Sequence, residues 1–443
     1  MFSNKDLRKL IIPLVIEQLL AVTIGMADTV MVSSCGEAAV SGISLVDSIN
    51  FLLITLFSSL ATGGAVIASQ YIGRGDHKSA SLAAKQLFYG SLALSAVLGV
   101  IAVFFRKPVL NMVFGSIETD VMAHAQIYFL LSAISYPFLA VYNAGAALFR
   151  SMGDSRTTML ISILMNTINI VGNAILIYGF QMAAAGAATA SLVSRAVGAI
   201  IITVLLLNPR RIIFYDKLHK PEIHLSMLKS ILQIGVPNGL ENSIFQIGKI
   251  LVASIVSGFG TISITANAVA GNLASLQVIP GMALGMAMIT VVGQCIGAKD
   301  YEAVKKYTKK LMLITYGVVW AMTLLMLLFS KQILSFYSLS EETTTMTMEV
   351  FIVHGICAVI VWPLAFALPN ALRAANDVRF TMIVSLLSMW IFRIGFSYIL
   401  AIYFNMGILG TCIAMCIDWF CRGACFVIRF ARGKWKNISF IDN

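Results

Sequence analysis

Runs of about 20 mostly apolar residues, long enough to cross a bilayer as an α-helix, recur along this 443-residue chain. Short polar or basic segments separate them. The twelve runs begin near Leu10, Asp47, Gln86, Val121, Thr157, Ala183, Leu232, Asn267, Lys310, Thr345, Phe380 and Met406. This pattern predicts an all-α integral membrane protein with twelve transmembrane helices.

The composition supports a membrane protein. Hydrophobic residues make up 59% of the chain and charged residues 12%, which differs from the usage of soluble domains. The first run is too long for a cleavable signal peptide, and no small-residue cleavage site follows it. We therefore expect it to be a membrane span in contact with lipid.

The basic residues predict how the chain is oriented. Of the 31 Lys and Arg residues, 24 fall in segments on one side of the predicted spans and 3, Arg106, Lys107 and Lys331, on the other. Cytoplasmic segments collect Lys and Arg, so both termini are expected in the cytoplasm, with the protein in the plasma (inner) membrane. The net charge of +11 then reflects topology, and we expect no nucleic-acid partner.

The chain repeats itself. A shift of 224 residues aligns Pro13 with Pro237 and Glu17 with Glu241 without a gap, and "LFRSMGDSRTTM" aligns with "ALRAANDVRFTM" at a shift of 223. We predict an N-lobe at 1–207, a cytoplasmic linker at 208–229 and a C-lobe at 230–443. Because each half has six helices, the halves are expected to be related by a pseudo-two-fold axis along the membrane normal, an organisation typical of carriers.

Two acids lie inside the first predicted span, Glu17 and Asp28. Their separation of 11 residues is about three helical turns, which places them on one face. An ionised carboxylate at membrane depth costs about 2.5 to 3.5 kcal/mol, so each needs a partner, a proton or a bound ion. Asp28 is either a functional carboxylate or a buried acid that pins helices together.

Several longer stretches resemble the multidrug and toxic compound extrusion family. They are "IPLVIEQLLAVTIGMADTVMVSSCGEAAVSGISLVDSI", "ATGGAVIASQYIGRGD", "GVPNGLENSIFQIGKILV" and the paired "GD" and "ND" turns. The resemblance covers almost the whole chain. It implies two six-helix lobes with an alternating-access cleft, and export of organic cations or drugs in exchange for inward Na⁺ or H⁺. It implies no other cofactor and no enzymatic activity, and we expect a monomer.

The resemblance also implies a cation-coupling site in the N-lobe. The family pattern places it at Asp28, Asn169, Asn173 and Thr189, with Asn173 where the family usually has Asp. Neutral oxygens around one carboxylate suit Na⁺, with Asp28 as its ligand, and a lone carboxylate suits H⁺ equally well. A different interpretation of the asparagines is that they form ordinary helix-to-helix hydrogen bonds.

The C-lobe carries intramembrane charges of its own. Some relatives have a glutamate in the seventh helix where this chain has Phe245. We predict that Glu241, Lys249 and Arg393 form a buried network, which acts either as a proton relay or as a fixed lock between helices. Together with Glu17 these are candidate cleft residues. The pair formed by Asp418 and Arg422 has the four-residue spacing of a local ion pair.

Asp154 and Asp377 occupy matching turns after the fourth and tenth spans. We predict that each caps the following helix and pairs with a flanking arginine. Asp377 is also a candidate functional residue, because the resembling family has a role for the tenth-helix position.

The sequence favours an ion-coupled exporter, and a flippase for lipid-linked oligosaccharides with a related two-lobed fold is the alternative. A flippase would need a strongly cationic cleft for a pyrophosphate headgroup. A membrane-bound transferase would need paired acidic metal motifs or a His-Asp pair, and the sequence has neither. There is also no GxxxxGK[ST] loop for ATP.

Overall fold

The computed structural model describes residues 2–115, 118–216, 218, 220, 222–337 and 339–438, excluding the side chains at 24, 26, 27 and 29. The described residues form helices and no strands. The helices of the first half are α1 (Asn4–Ser33), α2 (Glu37–Arg74), α3 (His77–Phe114), α4 (Thr119–Ser151), α5 (Ser155–Asn173) and α6 (Ala183–Leu206). A π-helical turn, Ala174–Gly179, extends α5.

The second half contains α7 (Leu225–Ser257), α8 (Thr261–Gly297), α9 (Tyr301–Leu328), α10 (Ser330–Ser335), α11 (Glu341–Ile360), α12 (Leu368–Ala374), α13 (Val378–Ser388), α14 (Phe396–Tyr398) and α15 (Gly407–Ala431). Three π-helical turns interrupt its last spans: Pro363–Ala367, Met389–Gly395 and Ile399–Tyr403.

The predicted fold class is confirmed. Within the described residues, eleven helices are long and apolar enough to cross a membrane. The 30-residue α1 covers the predicted first span. The tenth span is α11, continued by a π turn and α12. The eleventh is α13 with its π turns, and the short α10 lies between spans.

The chain divides into two compact units, 1–239 and 240–443, so the boundary lies inside α7. The sequence places it earlier, at the 208–229 linker, of which 217, 219 and 221 lie outside the described residues. Close packing at the start of α7 accounts for the difference. A Cβ on Gly63 of α2 would lie 2.5 Å from the carbonyl oxygen of Ile231, so only glycine permits this approach.

The first unit is built on close contacts of α2 with its neighbours. The Gly42 backbone approaches α4 so closely that a Cβ there would lie 2.9 Å from the amide nitrogen of Ala125. Beside this contact a buried cluster includes Phe57, Leu110 and Tyr136. These helices hold the segment of α2 that carries Asp47 against α4.

In the second unit, a buried cluster packs α9, α11 and α15 around aromatic side chains. Trp362 and Trp419 are its largest members. Phe366 stacks on Trp362 at a centroid distance of 5.3 Å and meets Trp419 edge-on at 5.5 Å. This aromatic cluster lies next to the charged residues of α13 to α15.

Candidate functional site

Asp28 lies beside the two predicted asparagines of α5. Nδ2 of Asn173 donates to Oδ1 of Asp28 at 2.6 Å, and both asparagine side chains are buried. The side-chain amide of Asn169 makes hydrogen bonds through both of its atoms when its nitrogen donates to Asp28 Oδ1 at 2.7 Å and its oxygen accepts from Ser191 at 3.0 Å. One carboxylate oxygen therefore accepts two amide hydrogen bonds.

One oxygen of this group has no partner. Oδ1 of Asn173 is buried and accepts no hydrogen bond from the described residues. A buried carbonyl oxygen without a donor is costly, and it is also a ligand that a hard cation prefers. The described residues contain no group of three or more His, Cys, Asp or Glu side chains arranged for a metal ion.

Thr189, the fourth predicted member of the site, uses its hydroxyl locally. Its Oγ1 donates to the carbonyl oxygen of Ala185 at 2.7 Å, one turn earlier on α6. This is the usual arrangement of a threonine inside a helix. Ser191, also on α6, is instead the residue that forms a hydrogen bond with Asn169, and neither the hydropathy pattern nor the family resemblance points to it.

A second carboxylate near Asp28 was missed. Asp47 of α2 accepts from Tyr128 at 3.0 Å and from Asn50 at 3.2 Å, and it lies close enough to Asp28 for the two to repel each other. Arg195 of α6 attracts both acids and donates to Ser135 at 2.7 Å. Asp47 stands where the second apolar run begins, and the hydropathy pattern there does not distinguish a buried acid from one at the end of a span. The N-terminal unit therefore holds two acids and one arginine around this site.

Glu17 belongs to a separate buried ion pair. Its Oε1 lies 3.2 Å from Nη1 of Arg150, and its Oε2 accepts from Thr158 at 2.8 Å. Both partners come from the matched turn region between the fourth and fifth spans. Glu17 is therefore held by fixed partners near the middle of α1, about three helical turns from Asp28.

Glu241 repeats this arrangement, which corrects the predicted C-lobe network. Its Oε1 accepts from Arg373 at 2.7 Å and from Ser385 at 2.7 Å. Arg373 is the counterpart of Arg150 at the 223-residue shift. The prediction that Glu241 joins Lys249 and Arg393 is wrong. The spacing along α7 indicates which residues share a face of that helix, but not which arginine of another helix lies opposite that face.

Lys249 and Arg393 belong to a different cluster. Arg393 Nη1 lies 3.5 Å from Oδ2 of Asp418, and Arg422 Nη2 lies 3.1 Å from Oδ1 of the same carboxylate. The predicted pair of Asp418 and Arg422 is confirmed. Lys249 lies 5.2 Å from the ring centroid of Phe245, which Arg393 and Arg422 also approach.

The two turn aspartates behave differently. Asp154 caps α5 by accepting from the amide of Thr157 at 3.2 Å, as predicted, but its ion pair is with Arg211 of the linker, also at 3.2 Å. Asp377 makes no capping hydrogen bond. Instead it forms a two-pronged pair with Arg429 at 2.6 and 3.0 Å. Both predictions for Asp377, the helix cap and the pair with a flanking arginine, are thus wrong. Its carboxylate pairs with Arg429 near the end of α15 instead.

Comparison with known proteins identifies the family. The MatE family model matches residues 13–175 and 237–399, one copy in each half of the chain. The two matches have equal length and are related by the 224-residue shift. The predicted duplication and the predicted family are both confirmed.

Curated relatives match along nearly the whole chain. An uncharacterised transporter of Bacillus subtilis, YisQ, is 27% identical over 429 residues, covering 96% of this chain and 93% of the relative. A probable multidrug resistance protein NorM of Thermotoga maritima is 26% identical over 442 residues, covering 98% and 93%. One relative is named as a transporter and the other as a probable multidrug resistance protein.

Solved structures share the fold. An outward-facing multidrug resistance transporter of the MATE family superposes with a TM-score of 0.89 at 21% identity, covering 98% of this chain and 97% of that one. A transporter of the MOP superfamily from Pyrococcus furiosus gives 0.87 at 21% identity, with the same coverage. With the family model matching both halves, these findings show that the chain belongs to the multidrug and toxic compound extrusion (MATE) family of membrane transporters.

Proposed function

We propose that this protein is a secondary active multidrug exporter that moves organic cations out of the cell in exchange for inward Na⁺ or H⁺. The observation that carries the proposal is the contact of Asp28 with Asn169 and Asn173 inside a family of transporters. A carboxylate with two amide donors and no paired cation in hydrogen-bond contact is a site that a small cation can occupy and leave. Relatives named as multidrug resistance proteins support the drug substrates.

Asp28 is the residue that couples the ion to the drug. An ion binds there through the carboxylate, and the buried Oδ1 of Asn173 is a further ligand for Na⁺. A proton needs the carboxylate alone. Asp47 strengthens the attraction for either cation, and Arg195 weakens it.

Coupling requires that the ion prefer one conformation. A ligand shifts an equilibrium only by the difference between its affinities for the two states. We infer that movement of α1 relative to α5 changes how many oxygens reach the ion, because Asp28 is on α1 and its two amide partners are on α5. An inward gradient then drives the chain through alternating access while the drug leaves on the outer side.

The paired glutamates have a supporting role in this account. Glu17 and Glu241 are each paired with an arginine and accept a hydrogen bond from a hydroxyl, so they hold helices together and do not carry the ion. We expect both termini on the cytoplasmic side, from the distribution of Lys and Arg, and a functional monomer.

Accumulation of ethidium in cells tests the function. Cells that lack their own efflux pumps and express the protein are expected to accumulate less dye than cells carrying the empty vector. The Na⁺ gradient and the proton gradient are then collapsed in separate experiments. Collapse of the gradient that drives export is expected to remove the difference in dye accumulation, and collapse of the other gradient to leave it. Equal accumulation with and without the protein, across a panel of cationic dyes, would contradict the proposal.

A further inference from the structure

Three cationic side chains surround one aromatic ring in the C-terminal unit. The Phe245 ring centroid lies 5.2 Å from Lys249 Nζ, 5.8 Å from Cζ of Arg393 and 5.2 Å from Cζ of Arg422. Lys249 is on α7, eight residues before that helix ends, and so roughly 12 Å inside its end. The cluster therefore lies within membrane-spanning segments of the unit.

The charges of this cluster do not balance. Within the described part of the chain, the ion pairs of these three cations involve a single carboxylate, Asp418, which pairs with Arg393 and Arg422. Lys249 makes no ion pair with a described residue, and its side chain is exposed. Uncompensated cations at this depth repel one another and are costly, so an anion is the partner that the arrangement favours.

Hydrogen-bond donors in the cluster are also available. Nε of Arg393 and Nε of Arg422 are buried and donate to no described residue, whereas Nη1 of Arg393 faces Asp418 at 3.5 Å. A guanidinium whose Nε–H is not used by the protein can still donate to a carboxylate oxygen. The aromatic rings of Phe245, Phe366 and Trp419 lie next to these donors and form apolar walls.

The repeat shows that the two units differ in polarity at this place. Arg393 corresponds to Asn169 at a shift of 224 residues and to Ile170 at a shift of 223, so its counterpart in the N-terminal unit is uncharged. The two acids of the N-terminal site, Asp28 and Asp47, correspond to Val252 and Gly271. The C-terminal unit thus has no acid where the N-terminal unit has two, and has an arginine where the N-terminal unit has an uncharged residue.

A change in helix geometry accompanies the change in charge. Arg393 lies in the π-helical segment Met389–Gly395, and the N-terminal unit has no matching π turn among the described residues of α5 before Ala174. The repeat shift is 223 residues before this segment, at Arg373, and 224 after it, where Gly186 meets Leu176 and Gly410 meets Leu400. One extra residue in this segment therefore changes the direction in which the Arg393 side chain leaves the helix. Such π-bulges occur frequently at functional sites.

We propose that Lys249, Arg393 and Arg422, together with the Phe245 ring, form a binding site in the C-terminal unit for the carboxylate of a small organic anion with an aromatic or apolar body. The proposal deepens the proposed function, since it extends the transported compounds to those that carry a carboxylate. Binding itself does not depend on ion coupling. Arg393 and Lys249 contact the carboxylate, and Arg422 keeps Asp418 from competing with it.

Binding of 2-naphthoate to the purified full-length protein in detergent tests this site by calorimetry. The neutral amide of the same shape, 2-naphthamide, is the comparison. We expect the acid to bind at least tenfold more tightly than the amide. Lys249→Gln and Arg393→Gln are each expected to weaken naphthoate at least tenfold and to leave naphthamide unchanged, and Arg393→Lys is expected to retain part of the binding.

The controls separate binding from folding. Lys249→Gln removes no ion pair, so the variant is expected to keep the elution profile and the unfolding midpoint of the wild type. Lys309→Gln removes an exposed lysine of α9 and is expected to bind naphthoate as the wild type does. Equal affinity for the acid and the amide, or naphthoate binding that survives Lys249→Gln and Arg393→Gln, would overturn the proposal. Binding of farnesyl phosphate without naphthoate would also overturn it, because the site would then serve a lipid anion.

This test and the dye experiment can fail independently. Naphthoate binding that depends on Lys249 supports the anion site even if ethidium efflux does not depend on either ion gradient. Gradient-driven ethidium efflux with no naphthoate binding would leave the exporter proposal intact and remove the anion site.

Discussion

Arg150 Nη1 lies 3.2 Å from Oε1 of Glu17, and Arg373 Nη2 lies 2.7 Å from Oε1 of Glu241. The acids are related by the 224-residue shift and the arginines by 223, so the same buried ion pair was inherited by both halves of the chain. In each unit it connects the first helix of the repeat to the end of the fourth. Its retention in both units indicates a common structural role.

Breaking either pair is expected to destabilise the protein. Glu17→Gln and Glu241→Gln each leave an arginine without its charge partner, and removing one member of a buried pair costs about 3 to 5 kcal/mol. We expect the thermal unfolding midpoint of the purified protein to fall in both variants. Glu302→Gln breaks an exposed pair with Lys305 and is the control, because such pairs contribute about 0 to 1 kcal/mol. Midpoints equal to that of the control would show that the pairs do not hold the fold.

The close approach of α2 to α4 gives a second stability prediction. Gly42→Ala places a methyl group 2.9 Å from backbone atoms of Val121 and Ala125, so the helices must move apart at a cost of about 1 to 3 kcal/mol. Gly271→Ala is the matched control, since a Cβ there meets nothing within 4 Å and alanine is the better helix former. The unfolding midpoint is expected to drop for Gly42→Ala alone. A drop of equal size in both variants would contradict the packing argument.

The sequence predicts the helices well because a membrane span needs about 20 apolar residues, and each run is visible without tertiary information. The internal repeat adds information, since it shows that Arg150 and Arg373 occur in matching turns. The sequence does not show which side chains meet across helices. Glu241 and Lys249 share a face of α7, yet Arg373 and not Arg393 reaches Glu241.

Two features of the N-terminal site escape the hydropathy pattern for different reasons. Asp47 stands at the edge of an apolar run, where an acid is unremarkable, and only its hydrogen bonds with Tyr128 and Asn50 reveal that it is held inside the unit. Thr189 matches a family position in sequence, yet its hydroxyl bonds to its own helix. Whether a threonine hydroxyl bonds to a backbone carbonyl of its own helix or to a neighbouring side chain depends on its rotamer and on the packing around it.

Removal of the amide donors tests the geometry around Asp28. Asn173→Ala and Asn169→Ala are expected to lower ion-driven efflux strongly, because each removes a hydrogen bond to the carboxylate, of 2.6 Å and 2.7 Å. Thr189→Ala is expected to have a smaller effect. Asn166→Ala, on the same helix but in contact with Ser162, is the control. Equal losses from Asn166→Ala and Asn173→Ala, measured as initial dye-efflux rates, would argue against a specific site.

Asp47→Asn is expected to change how strongly the coupling ion binds without abolishing transport. Asp47 adds negative charge near Asp28, so its loss reduces the attraction for Na⁺ or H⁺. We predict that efflux then needs a higher concentration of the driving ion for half-maximal rate, while the maximal rate stays close to that of the wild type. A titration of efflux rate against ion concentration measures both. A lower half-maximal concentration would show that the acid acts differently.

The most direct test of the central claim is an imposed ion gradient across proteoliposomes containing either the wild type or Asp28→Asn. A neutral amide is easier to bury than a carboxylate, so the variant is expected to reconstitute at normal yield and with a normal unfolding midpoint. The account predicts that an inward Na⁺ or H⁺ step drives ethidium transport in the wild type and produces no response in Asp28→Asn. Gradient-driven transport at the wild-type rate in Asp28→Asn would contradict it, and Asp28 would then be a carboxylate that pins α1 to α5.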